Sequence, residues 1–143
     1  MKTPALAFAV ALLFAELTTA QTPVASAESK DQVVKTVTPD EASKLMNQRK
    51  DVVVLDVRTA DEYAEGHIAG SKNLSFTDPD FKERLKEFEG KPVIVHCAAG
   101  NRSAKAVDVM KLRNFPEIHH LEKGFKGWTA AGKEVVKSPA ATK

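Results

Sequence analysis

One cysteine, Cys97, stands where an apolar run gives way to a loop of small residues. In front of it Val93, Ile94 and Val95 form a β-branched run with no polar alternation until His96, the pattern of a strand buried on both faces. Behind it come Ala98, Ala99, Gly100 and Asn101, then Arg102, Ser103 and a helical pattern. A thiol between a strand and a helix N-terminus lies where backbone N–H groups can turn inward and hold an anion. Only the thiolate attacks, and its pKa falls near helix N-termini and cationic side chains. Ala98 and Ala99 keep bulk away, Gly100 can take a positive φ, and Asn101 tolerates a left-handed turn. Arg102 offers a permanent charge with planar donors suited to a sulfur oxyanion or a carboxylate, so it either meets a substrate or braces the loop. A lone cysteine ending an apolar strand is more often a buried, inert thiol than a nucleophile. Small residues, a glycine and an arginine between strand and helix are hard to explain by packing alone, and they point to catalytic use of Cys97.

The other residue types capable of chemistry are few. Asp56 ends the apolar run 52–55, and Arg58 lies two residues on, pointing to the same side if the extension continues. Sites in a parallel sheet gather at the C-terminal ends of strands, which places Asp56 and Cys97 at the same edge. The expected role of Asp56 and Arg58 is a structural ion pair that holds loops together. His96 is a poor general base, because strand neighbours point to opposite faces and its side chain should diverge from that of Cys97. His119 and His120 face apart by the same rule and lack further ligands at suitable spacing, so no metal site is expected.

The elements that must position these groups can be read in order. Residues 1–20 have the layout of a secretory signal peptide: Lys2, an apolar run over 5–15, then Thr18, Thr19 and Ala20 where cleavage would fall. The run is shorter than the roughly 20 residues that span a bilayer, no cysteine lies near the cleavage point for lipid attachment, and the first arginine is Arg49. Export, to a periplasm or to the exterior, without a membrane anchor is expected. The polar stretch 21–35 reads as a flexible lead-in, and 137–143 as a loose tail. Between them Thr38, Pro39 and Glu41 announce a capped helix with Ala42, Leu45 and Met46 on its apolar side. A second short capped helix is expected over 59–65, ended by Gly66, and an amphipathic surface helix over 81–88. After the cysteine loop, Ala104, Ala106, Val107, Met110 and Leu112 should bury one helix side. The last core strand is expected over 118–121, followed by a glycine-broken turn over 124–128, with Trp128 starting or capping a final short helix as a core or rim anchor.

Composition narrows the class. Without residues 1–20 the chain keeps roughly 120 residues, enough for one core and too few for two ordinary domains. The formal charge of +2 is too small and too evenly spread to suggest nucleic acid or a membrane surface as partner. One cysteine rules out an internal disulfide, so the thiol is buried, used, or bonded to something else.

Four blocks together resemble the rhodanese-like sulfurtransferases: D-V-R over 56–58, E-Y-A-E-G-H-I-A-G-S-K-N-L over 62–74, C-A-A-G-N-R-S over 97–103, and L-E-K-G-F-K-G-W over 121–128. The resemblance runs from Val37 to Val135. It implies an α/β domain over 36–136 with a central parallel sheet flanked by helices on both faces. It implies that Cys97 carries sulfur as a persulfide inside a substrate-binding loop of Ala98, Ala99, Gly100, Asn101, Arg102 and Ser103, with Asp56 and Arg58 supporting that loop. Ser103 would cap the following helix or give its hydroxyl to the persulfide. His67 is expected to pack and hydrogen-bond rather than act as a base. The implied reaction moves a sulfane sulfur from a small donor such as thiosulfate, a polysulfide or a persulfide to a thiol or cyanide, with no metal or organic cofactor. One departure is Lys123, where many members have a second glycine. Two other classes keep a place: phosphatases and arsenate reductases, whose cysteine and arginine are separated by five residues rather than the four found here, and a non-catalytic module that relays sulfur or binds a partner protein.

Overall fold

Five parallel strands form one sheet in the order β1-β5-β4-β2-β3, in a computed structural model that describes residues 31–138. The strands are β1 Val33–Val37, β2 Val53–Asp56, β3 Lys72–Asn73, β4 Val93–His96 and β5 Glu117–Leu121. The helices are α1 Pro39–Gln48, α2 Ala60–Glu65, α3 Phe81–Arg84, α4 Asn101–Lys111 and α5 Gly124–Ala130. The leader reading of 1–20 and most of the tail reading of 137–143 fall outside the described residues.

The unbroken apolar character of β4 follows from its central place. Val93, Val95 and Cys97 pack on one side of the sheet with Leu55, Phe81, Leu85 and the buried face of α4. Ile94 packs on the other side with Val54, Ala42 of α1 and Trp128 of α5. Period-two side-chain alternation thus feeds two cores at once, and every position is apolar until the polar edge is reached at His96. Each fully buried valine, leucine or isoleucine contributes about 1.5–3 kcal/mol by removal from water.

The caps read from the sequence are present. Thr38 and Glu41 exchange side-chain and backbone bonds at the start of α1, and Thr59 and Glu62 do the same at the start of α2. Four expectations need correction. Of the lead-in expected over 21–35, residues 21–30 lie outside the described residues, and its last three are strand, because β1 starts at Val33 and pairs with β5 from Val33↔Glu117 to Val37↔Leu121. This edge strand buries only Val37, so it is held by backbone hydrogen bonds, and no apolar alternation marks it. The helix expected over 81–88 is a single α turn followed by a 3₁₀ turn Leu85–Phe88, its start lacking a side-chain cap. Leu112 lies beyond the end of α4 and is 88% exposed rather than buried. Trp128 sits inside α5, not at its start, and its Nε1–H donates to the Glu134 carbonyl at 2.8 Å.

Candidate active site

β4 delivers Cys97 to the C-terminal edge of the sheet, and a loop of three residues returns the chain into α4. The turn requires a left-handed residue, supplied by Gly100 at φ 110°, which is also the N-cap of α4. Asn101, Arg102 and Ser103 are therefore not loop residues: they form the first turn of the helix, so the loop proper is Ala98, Ala99 and Gly100.

Donors converge on the sulfur. The Gly100 N–H reaches Cys97 Sγ at 3.1 Å, and the Ser103 hydroxyl lies 3.4 Å from it. Burial by itself pushes the thiol pKa up, but the Ser103 hydroxyl and the N–H groups of Ser103, Gly100 and Ala99 outweigh it, holding the thiol below its ordinary range. Arg102 is not among these groups. Its guanidinium makes two bonds to the Glu62 carboxylate, at 2.7 and 2.9 Å. Of the two roles open to it, bracing is the one this contact serves: Arg102 ties the start of α4 to the start of α2. Arg102 in turn holds the Glu62 carboxyl down to about 2.

The amides face the sulfur because the carbonyls on the same peptide planes are held the other way. The Cys97 carbonyl accepts from Phe125 N–H at 2.7 Å, and the Ala98 carbonyl from Lys126 N–H at 2.9 Å. In a trans peptide the N–H opposes the C=O, so fixing the Ala98 carbonyl onto α5 aims the Ala99 N–H inward. That approach needs Gly124, because a Cβ at this position would collide with the Cys97 carbonyl, and its φ of +56° disfavours any side chain. Lys123 beside it is also left-handed, at φ 57°. A glycine would take this conformation without the strain that a Cβ brings.

On the opposite side of the sheet lies a second polar cluster. Asp56 and Arg58 form a bidentate pair, with Oδ2 to Nη2 at 2.6 Å, both buried, and Arg58 also donates to the Gly66 carbonyl at 2.8 Å. The guanidinium covers the Phe125 ring at 4.0 Å from its centre, and His96 stacks on the same ring at 6.2 Å. Asn73 closes the cluster by donating to the Asp56 and Arg58 carbonyls. Burial lowers the pKa of His96, partly offset by nearby Asp56, which keeps the imidazole neutral at pH 7. His96 and Cys97 do diverge to opposite faces. His67 packs on Tyr63 at 3.8 Å and bonds the Tyr63 carbonyl through Nδ1 at 2.9 Å. Among the described residues no three His, Cys, Asp or Glu side chains are grouped to hold a metal ion.

Cys97 is 1% exposed, so its sulfur lies under the loop rather than on an open surface. Beside the loop a cleft of about 440 Å³ opens between Ala98, Phe125, Gly66, Val135, Arg58 and Glu62. Two site groups escaped the sequence reading. Glu62 lies in the capped helix expected over 59–65, but its bond to Arg102 spans 40 positions and has no local signal. His120 was read only for metal spacing, whereas its Nε2 lies 2.8 Å from Ser103 Oγ.

A parallel α/β sheet with one cysteine cradled at its C-terminal edge defines a class of single-cysteine loop domains. The chain belongs to the rhodanese-like domain family, whose model matches residues 38–131. It is 33% identical over 130 residues to the uncharacterized protein YibN of Escherichia coli strain K12, covering 90% of this chain and 86% of that one. It is 34% identical over 88 residues to the thiosulfate sulfurtransferase GlpE of Pseudoalteromonas translucida, covering 62% and 83%. Among solved structures it is similar to a rhodanese-related protein from Thermoplasma volcanium, with 31% identity, a TM-score of 0.65, and 73% and 99% of the two chains covered.

Proposed function

We propose that the protein is a sulfurtransferase that moves a sulfane sulfur from a donor such as thiosulfate, through a Cys97 persulfide, to a thiol or cyanide. The observation that carries this reading is the convergence of backbone and hydroxyl donors on one sulfur atom. The Cys97 thiolate attacks the outer sulfur of thiosulfate; the S–S bond of the donor breaks and sulfite leaves with the electron pair. The terminal sulfur of the resulting persulfide is an anion, and inward-facing amides suit an anion. An acceptor thiolate or cyanide then attacks that terminal sulfur, and Cys97 departs as the thiolate it began as. Covalent catalysis divides one transfer into two exchanges, and neither needs a metal or an organic cofactor. Relatives named as thiosulfate sulfurtransferases support the donor class. Phosphoryl transfer is disfavoured because the guanidinium it would use is bonded to Glu62.

Intact-mass measurement after incubation with thiosulfate tests the reading. A gain of one sulfur, lost on adding cyanide and absent in Cys97→Ser, is expected, with turnover in a donor panel separating an enzyme from a passive relay. Failure to form any adduct with thiosulfate, polysulfide or glutathione persulfide would refute it. Export is proposed as well, on the charge, apolar run and small residues of 1–20. Recovery of the full-length chain from the cytosolic fraction, with residues 1–20 attached, would overturn that part.

A further inference from the structure

The thiol has a proton to lose and no direct route to water. Cys97 is 1% exposed and Ser103 is fully buried, while His120 on β5 is only partly buried. These three side chains form a line: Sγ to Ser103 Oγ at 3.4 Å, and Ser103 Oγ to His120 Nε2 at 2.8 Å. The fold builds that line from three separate elements. Side-chain alternation on β5 puts His120 on the same sheet face as Val95 and Cys97, beside α4, whose third residue is Ser103.

We propose that His120 is a positioning residue that takes up the Cys97 proton through the Ser103 hydroxyl and releases it to solvent. The serine has one hydrogen and three candidate partners: Cys97 Sγ, His120 Nε2, and the Gly100 carbonyl at 3.0 Å. Its orientation therefore depends on the imidazole. When Nε2 is bare, the hydroxyl hydrogen turns toward it and the serine oxygen is free to accept the thiol proton. Transfer moves the S–H proton to Ser103 Oγ while the serine's own proton passes to Nε2. The products are a thiolate and an imidazolium, with the serine unchanged and no net redox. In that state Nε2–H donates to Oγ, and the hydroxyl hydrogen points at the sulfur anion. His120, partly exposed, then exchanges its proton with water.

The surroundings fit a neutral resting imidazole. Burial lowers the pKa of His120, with the Gly100 carbonyl opposing it and no charged side chain contributing. Its strand neighbours are Thr36 on β1 and Val95 on β4, neither of which titrates, and α4 presents Ser103 and the Gly100 carbonyl. The titratable group that faces it is Cys97, at the far end of the serine. The inference rests on Cys97 reacting as a thiolate, not on which donor supplies sulfur.

The test is the rate of Cys97 alkylation by iodoacetamide against pH, on the full chain, with no sulfur donor present. The wild-type profile should contain two linked steps, one from the imidazole and one from the thiol. His120→Gln should leave a single step moved upward by about one pKa unit, a roughly tenfold slower reaction at neutral pH. Ser103→Ala should give a similar shift, and the double variant no further loss, because His120 acts only through Ser103. Proton NMR of the His120 ring supplies a second readout, since its titration should change when Cys97 is alkylated, even if a variant fails to fold. A His120→Gln profile superimposable on wild type, a loss in the double variant equal to the product of the two single losses, or a His120 titration blind to the state of Cys97 would overturn the proposal. Absence of a persulfide in the mass experiment with the relay intact would instead count against sulfur transfer alone.

Discussion

Two polar clusters lie at the same edge of the sheet, on opposite faces of adjacent strands, and they handle buried charge differently. On one face Asp56 meets Arg58 in a pair of opposite charges, and the guanidinium also donates to the Gly66 carbonyl and covers the Phe125 ring. On the other face several neutral donors aim at Cys97 Sγ, and the nearby Arg102 charge is bonded to Glu62 rather than to the sulfur. The first arrangement carries its own counter-charge. The second favours a negative sulfur, which is the state the proposed sulfur transfer needs. The same edge therefore holds a buried ion pair tied to the end of α2 and a cradled sulfur.

Breaking the ion pair should give the largest effect on stability. Asp56→Ala leaves the Arg58 guanidinium buried with one carbonyl partner, and loss of one member of a buried pair costs about 3–5 kcal/mol. Urea unfolding should show that loss, while Cys97→Ser stays close to wild type in the same experiment. Equal destabilisation by the two would erase the distinction between ion pair and cradled sulfur. Gly124→Ala comes next, because it strikes the contact between α5 and the cysteine loop. A non-glycine residue in that left-handed conformation costs about 1–3 kcal/mol. The displaced Phe125 and Lys126 N–H groups would also free the Ala98 carbonyl to rotate, and alkylation of Cys97 should slow by about an order of magnitude as its pKa rises by about one unit. A stability loss without a change in thiol reactivity would show that α5 does not orient the amides.

The sequence revealed the parts of this arrangement that depend on local pattern. β4 is continuous and apolar because both of its faces are covered, and the α1 and α2 starts carry complete capping boxes, so each was legible. β1 and the two-residue β3 were not, because backbone pairing with a neighbour holds them and side-chain pattern does not. The cysteine, its small-residue loop and the Asp56–Arg58 pair could be found from residue type and spacing. The partners that decide how those residues act could not. Arg102 is bonded to Glu62, and the serine hydroxyl lies against His120, each partner brought in by tertiary packing from a distant element.

The Arg102–Glu62 link joins the two regions, and weakening it should have a smaller, pH-dependent effect. Glu62 titrates at about 2 in the folded chain, below its unfolded value, so the stability it adds is present above the ordinary glutamate range and disappears as pH falls toward 2. The pair is about one-third exposed, and solvent screening holds its worth to about 1 kcal/mol. Glu62→Gln should therefore lower stability by about that amount at neutral pH and flatten the acid limb of the stability curve. An unchanged acid limb would mean that Arg102 finds another partner or needs none.

Lys123 should give the smallest effect, and it separates backbone from charge at the site. Its left-handed φ costs about 1–2 kcal/mol for a residue with a Cβ. Glycine would relieve that strain but would widen the unfolded ensemble by about 0.4–1 kcal/mol, leaving a net gain of about 0.8 kcal/mol. Lys123→Gly should thus raise the urea midpoint slightly and leave the pH profile of Cys97 alkylation untouched, because no hydrogen bond to the sulfur involves it. If the ammonium also draws anionic donors toward the loop, KM for thiosulfate should rise in the variant, and the difference should shrink as salt screens the charge. A KM that does not move assigns Lys123 a backbone role alone. A shifted alkylation profile would mean that the turn before α5 and the sulfur cradle are coupled more tightly than the Cys97 and Ala98 carbonyl bonds account for.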